Sequence, residues 1–138
     1  MTIRSKLAPV AMLLAVLAAH DVHAAPDCAN PQDQRAMNEC ASRGYARADA
    51  ELNRRYRALQ SRLKDDRDGA RKLTEAQRAW IAFRDTECAF QTVGVAGGSA
   101  EPLARAACLE ETTKSRSAAL QRYLDCREGE TNCPVAAQ

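Results

Sequence analysis

Apolar residues recur at steps of three and four along most of the chain, with no stretch of strict alternation, and this pattern predicts helices and no strands. From Asn30 to Leu63 the positions Met37, Ala41, Tyr45, Ala48, Leu52, Tyr56, Leu59 and Leu63 form one stripe. Asn30 fits the N-cap of that helix, Pro31 its first position, and Asp33 the positive end of its dipole. Gly44 falls in the interior, where glycine costs up to about 1 kcal/mol against alanine, so a kink or break is expected there. The polar stretch Lys64 to Asp68 with Gly69 interrupts the pattern, which returns as Leu73, Ala76, Trp80, Ile81, Phe83 and Cys88. Thr74 with Gln77 marks a capping box, while Arg71, Lys72 and Leu73 are good helix formers that allow an earlier start. Val93 to Ser99 reads as a Gly-rich loop, and Ser99 suits the cap of a third helix with the stripe Leu103, Ala106, Leu109, Thr113, Ser117, Leu120 and Leu124. Beyond Cys133 a short flexible tail is expected. The fold expected is all-α: a small three-helix up-down-up bundle stapled by disulfides, its long first helix kinked near Gly44.

The first 24 residues follow a different logic. Arg4 and Lys6 precede an apolar run from Leu7 to Ala19, and Val22-His23-Ala24 places small residues before Ala25. The run of about 13 residues falls short of the roughly 20 that cross a bilayer. A cleaved signal peptide over residues 1–24 is therefore expected, leaving residues 25–138 as one domain in the bacterial periplasm or outside the cell, with no membrane anchor. Cys28 follows Ala25, Pro26 and Asp27, which is not a lipoprotein signal.

Cleavage changes the chemistry that remains. Both histidines, His20 and His23, lie in the signal, so the mature chain has no imidazole for a Ser-His or Cys-His nucleophile or for a His-containing zinc set. Loss of Arg4, Lys6 and Asp21 takes Lys plus Arg from 20 to 18 and Asp plus Glu from 18 to 17, a net charge of about +1. That balance provides no global field for nucleic acid, and Arg54, Arg55 and Arg57 read as a solvated helix face. No cofactor, metal or catalytic residue is expected; the chain reads as a binding protein and not an enzyme, with no oligomeric state implied.

Six cysteines follow the signal, and no C-x-x-C spacing suggests a metal site. Six allow 15 pairings. Helix rise places Cys126 roughly 35 Å from the end of the bundle that holds the other four, so it should pair with Cys133. For the rest, Cys28 with Cys40 and Cys88 with Cys108 form the preferred local set, and Cys40 with Cys108 plus Cys28 with Cys88 form the competing one.

Three clusters stand out: Met37-Asn38-Glu39-Cys40, then Asp49 with Leu52-Asn53 and Tyr56, then Gln77-Arg78-Ala79-Trp80 running to Arg84-Asp85 and Cys88. With Cys108-Leu109, Thr113, Arg116 and Leu120 they resemble the LprI-type lysozyme inhibitor family from Cys28 to about Tyr123, and Cys126 and Cys133 look like an addition to its pattern. The resemblance implies a small exported helical protein that binds and inhibits lysozyme, protecting the cell wall. The alternative is an envelope module that binds protein or glycan without inhibiting lysozyme. Each motif also has a structural use: Trp80 as core, Asn53 in an interhelical hydrogen bond, and Arg84 and Asp85 in a network with Asp49 and Arg116. For inhibition, the segment Gln91 to Glu101 is small and Gly-rich, with Thr92 and Ser99 as hydroxyl donors and Gly97 and Gly98 giving it access to a cleft. The acidic run Asp65, Asp66 and Asp68 is a second candidate surface, at the other end of the bundle.

Overall fold

The computed structural model describes residues 25–127 and 129–135; the expected signal peptide, Glu128 and residues 136–138 lie outside them. Three helices follow in order: α1 over Gln34–Arg62, α2 over Arg67–Gln91 and α3 over Glu101–Leu124, with a short 3-10 helix, Val93–Val95, between α2 and α3. Paired residues fix their directions. Asn38 meets Ser99, Arg55 meets Ser117 and Arg62 meets Leu124, so α1 and α3 run parallel in constant register. Tyr56 meets Thr74 and Gln77 meets Arg116, so α2 runs antiparallel to both. The bundle is all-α and up-down-up.

Helix ends differ from expectation where side-chain reach, which composition does not reveal, decides. Asp33, not Asn30, caps α1: its carboxylate accepts the Ala36 N–H at 2.7 Å, while Asn30 lies in the turn before, its N–H on the Asp27 carbonyl. α2 starts at Arg67, ahead of the Thr74 capping box, because Asp66 accepts the Gly69 N–H at 2.9 Å. The acidic stretch is thus a helix start and not a break. Thr74 has another use, its hydroxyl donating to the Ala70 carbonyl and accepting from Tyr56. Ala100 occupies the N-cap of α3 in place of Ser99, with Pro102 in the first turn, where its missing N–H costs nothing.

α1 runs unbroken through Gly44, where a kink was expected. Gly44 is buried, and the space its Cβ would fill is occupied by the Glu110 carboxylate of α3. It serves close approach of two helices. Ala48, Ala106, Thr113 and Ser117 are likewise small and buried, and α1 and α3 lie closest of all the helices. Larger side chains hold α2 further out.

Leu52, Leu59, Leu63 and Leu120 form the centre of the core, joined by Cys126 and Val135, with Tyr56, Leu73, Trp80 and Tyr123 packed around them. Beyond Cys133 the described residues end at Val135, which is 5% exposed and packs on the core; the rest of the expected tail lies outside them. The stripe expected on α2 also needs correction. Ala76, Ile81 and Phe83 are exposed, whereas Gln77, Arg84 and Cys88 are buried. With one face toward α1 and α3, α2 selects a stripe in which two of the buried residues are polar.

Three disulfides staple the bundle, Cys28–Cys40, Cys88–Cys108 and Cys126–Cys133, with Cα separations of 5.5, 5.6 and 5.5 Å. The first ties the N-terminal arm to α1, the second joins α2 to α3 across the loop, and the third closes the C-terminal turn. No helix among the described residues is long and apolar enough to cross a membrane.

Candidate functional site

Helical spacing places Tyr45, Asp49, Asn53 and Tyr56 along the side of α1 that faces α2, and Gln77, Trp80 and Arg84 on the answering side of α2. Arg84 is the centre of what results. Its side chain is 10% exposed and its guanidinium lies between two rings, 5.1 Å from the Trp80 centroid and 5.6 Å from that of Tyr45. Its Nε and Nη2 donate to Asp85 Oδ1 at 2.9 and 2.8 Å, and Nη1 reaches Asp49 Oδ1 at 3.7 Å. Burial raises the pKa of Tyr45, with the Arg84 charge opposing and Asp49 and Asp85 adding to the rise. The phenol thus stays neutral beside the cation.

Other members of the expected set settle differently. Trp80 is partly buried and packs on the core. Among the described residues Asn53 makes no interhelical bond: its amide donates to the backbone and side-chain oxygens of Asp49 within α1, at 2.9 and 2.8 Å, and so orients that carboxylate. Arg116 does not join the Arg84 network. It donates from Nε to Gln77 Oε1 at 3.1 Å, and burial lowers its pKa, with Tyr123 opposing. Asn38 accepts from Gln34 and donates to the Ser99 carbonyl at 3.1 Å, tying the start of α1 to the end of the loop. Packing and register account for most of these residues.

The loop between α2 and α3 is a different surface. Thr92 is not the hydroxyl donor expected of it: it is buried, and its hydroxyl donates to the Cys88 carbonyl at 2.7 Å, as serine and threonine do when they close a helix end. Gly97 adopts φ of +75°, where a side chain would be strained, and its N–H donates to the Glu101 carboxylate. Gly98 donates to the Val95 carbonyl and Ser99 is exposed. The Cys88–Cys108 bridge and the Asn38 contact hold this turn from both sides.

Sequence patterning missed what the loop presents. Phe90 is 74% exposed and Val93 69%, with Val95 also exposed; Phe83, seven residues before Phe90 and so on the same side of α2, is exposed as well, while Ile81 is exposed on a different side. Large exposed apolar residues gathered at one end of a molecule mark a contact surface. A Phe-Gln-Thr-Val-Gly-Val run at a helix end, too short to cover itself, was the signal available. The acidic end is weaker: Asp66 is spent on the α2 cap and Asp68 on Arg71 at 3.0 Å, leaving Asp65 with only a 3.9 Å contact to Lys64.

A family profile described as "Lysozyme inhibitor LprI" matches residues 27–120. A protein of Rhizobium meliloti (strain 1021), described as uncharacterized, is 40% identical over 114 residues, covering 75% of this chain and 82% of its own. No solved structure matches.

Proposed function

The chain belongs to the LprI family, and from that premise we propose that it is exported after cleavage of residues 1–24, leaving a single domain over 25–138, and that it binds and inhibits lysozyme through the loop between α2 and α3. Families of this kind act without catalysis, by occupying a partner. Lysozymes work with paired carboxylates in a cleft, which a small rigid projection can block. The observation that carries the reading is the exposed apolar set Phe90, Val93 and Val95 on a turn clamped by Cys88–Cys108. Preorganisation of the clamped turn lowers the entropy lost on docking, and burial of the three side chains supplies the driving force. The Ser99 hydroxyl, exposed and without a partner among the described residues, is the donor best placed for a cleft carboxylate.

Purified, oxidised protein added to lysozyme at equal concentration should slow the clearing of a cell-wall suspension. Phe90→Ser with Val93→Ser should weaken that inhibition at least about tenfold, since losing two apolar anchors removes more than about 1.4 kcal/mol of binding. Unaltered lysis by the parent protein would sink the reading, and binding without slowed lysis would favour the envelope module in its place.

A further inference from the structure

At the end of the bundle away from the loop, a groove of about 760 Å³ opens between the start of α2 and the C-terminal turn, within the range of roughly 300–1,000 Å³ typical of small-molecule sites. Leu59, Leu63 and Val135 form its buried floor, with Leu73 and Tyr123 partly buried beside them. Arg116 also lines it. Its Nε is held by Gln77, but no carboxylate among the described residues pairs with it, and its two Nη groups have no partner there. A half-buried guanidinium without a counter-charge has lost water and regained only the Gln77 hydrogen bond, an imbalance that an anion corrects.

We propose that this groove binds a medium-chain fatty acid, its carboxylate on the free edge of Arg116 and its chain over Leu63, Leu73 and Tyr123. Neighbouring acids do not forbid the anion. Asp66 is engaged with the Gly69 N–H and Asp68 with Arg71, while Lys72 on the rim is exposed and paired with no acid among the described residues. With Asp66 and Asp68 engaged elsewhere, the Arg116 guanidinium beside apolar surface, with Lys72 on the rim, matches one anion on an apolar chain; an extended peptide asks for a row of backbone partners that a helix-lined groove does not present. The groove lies at the end of the bundle opposite the loop, and its wall facing α2 is the turn closed by Cys126–Cys133, beyond the 27–120 segment matched to the family, so its test does not depend on the lysozyme reading.

Titration calorimetry of the oxidised mature protein with decanoate, below its micellar concentration, should show saturable binding of one molecule per chain. Decanol should bind at least about tenfold more weakly, because it offers the guanidinium no charge. Arg116→Gln should lower decanoate affinity about tenfold and leave decanol unchanged. Absence of saturable decanoate binding, equal affinity for decanol, or unchanged decanoate affinity in Arg116→Gln would each overturn the proposal. The decanoate and decanol comparison on the unaltered protein decides the matter should the variant fail to fold.

Discussion

Arg84 illustrates how a buried charge is retained at low cost. Its carboxylate partners are substantially exposed, 47% for Asp85 and 40% for Asp49, and pairs of that kind contribute about 1 kcal/mol or less. The rings of Trp80 and Tyr45 on either side add roughly 0.5–2 kcal/mol each, so stacking outweighs the ion pairs in holding the guanidinium. Tyr45 leaves a mark on pH dependence. Its folded pKa is raised above 10.0, chiefly by burial, so its contribution is fully present below pH 10. As pH rises further the unfolded chain ionises this phenol before the folded one does, and stability falls toward the folded value. Tyr45→Phe should therefore lose stability less steeply than the parent above pH 10, measured by urea unfolding at successive pH values. Thr113 offers a simpler case: it is fully buried on α3 and its hydroxyl has no partner among the described residues. Thr113→Val keeps the shape and removes the unmet group, and should raise unfolding free energy by about 1 kcal/mol in the same measurement.

At the scale of elements, the disulfides divide into staples of different strength. Cys88–Cys108 spans 20 residues and Cys28–Cys40 spans 12, and chain entropy gives about 3.3 and 2.8 kcal/mol respectively. Replacing Cys88 and Cys108 with serine should lower the melting temperature more than the same change at Cys28 and Cys40. It should also weaken lysozyme inhibition at temperatures where both variants remain folded, because only that pair fixes the loop. The three helices and the Cys126–Cys133 pairing were legible because helical periodicity and the rise of a helix are properties of the chain itself, whereas Cys88–Cys108 and Cys28–Cys40 were the preferred of two sets that helix rise left open. The helix boundaries were not legible, since whether Asn30 or Asp33, Thr74 or Asp66, closes a helix end depends on which side chain reaches a free N–H. Gly44 carried the opposite message from its propensity, because its partner, Glu110, lies 66 positions away on another helix. The Arg84 network was partly legible from spacing on α1 and α2, whereas the role of Thr92 and the exposure of Phe83 and Phe90 depended on where α2 turns its narrow contact face.

For the molecule as a whole, the choice between its two ends has a measurable signature in salt. The expected mature chain carries a net charge of about +1, so a strongly basic lysozyme gains no long-range attraction from it. Docking through Asp65, Asp66 and Asp68 would rest on exposed charges, screened beyond about 10 Å at 0.1 M ionic strength, and its affinity would fall at least about tenfold between 0.05 and 0.5 M salt. Docking through Phe90, Val93 and Val95 rests on apolar burial, which salt does not weaken. Inhibitory affinity should therefore change by less than about threefold across that range. Asp65→Asn should leave it unaltered, while the serine changes at Phe90 and Val93 should weaken it at least about tenfold. A steep decline with salt, together with sensitivity to Asp65, would move the interface to the opposite end of the bundle and leave the apolar loop to some other partner.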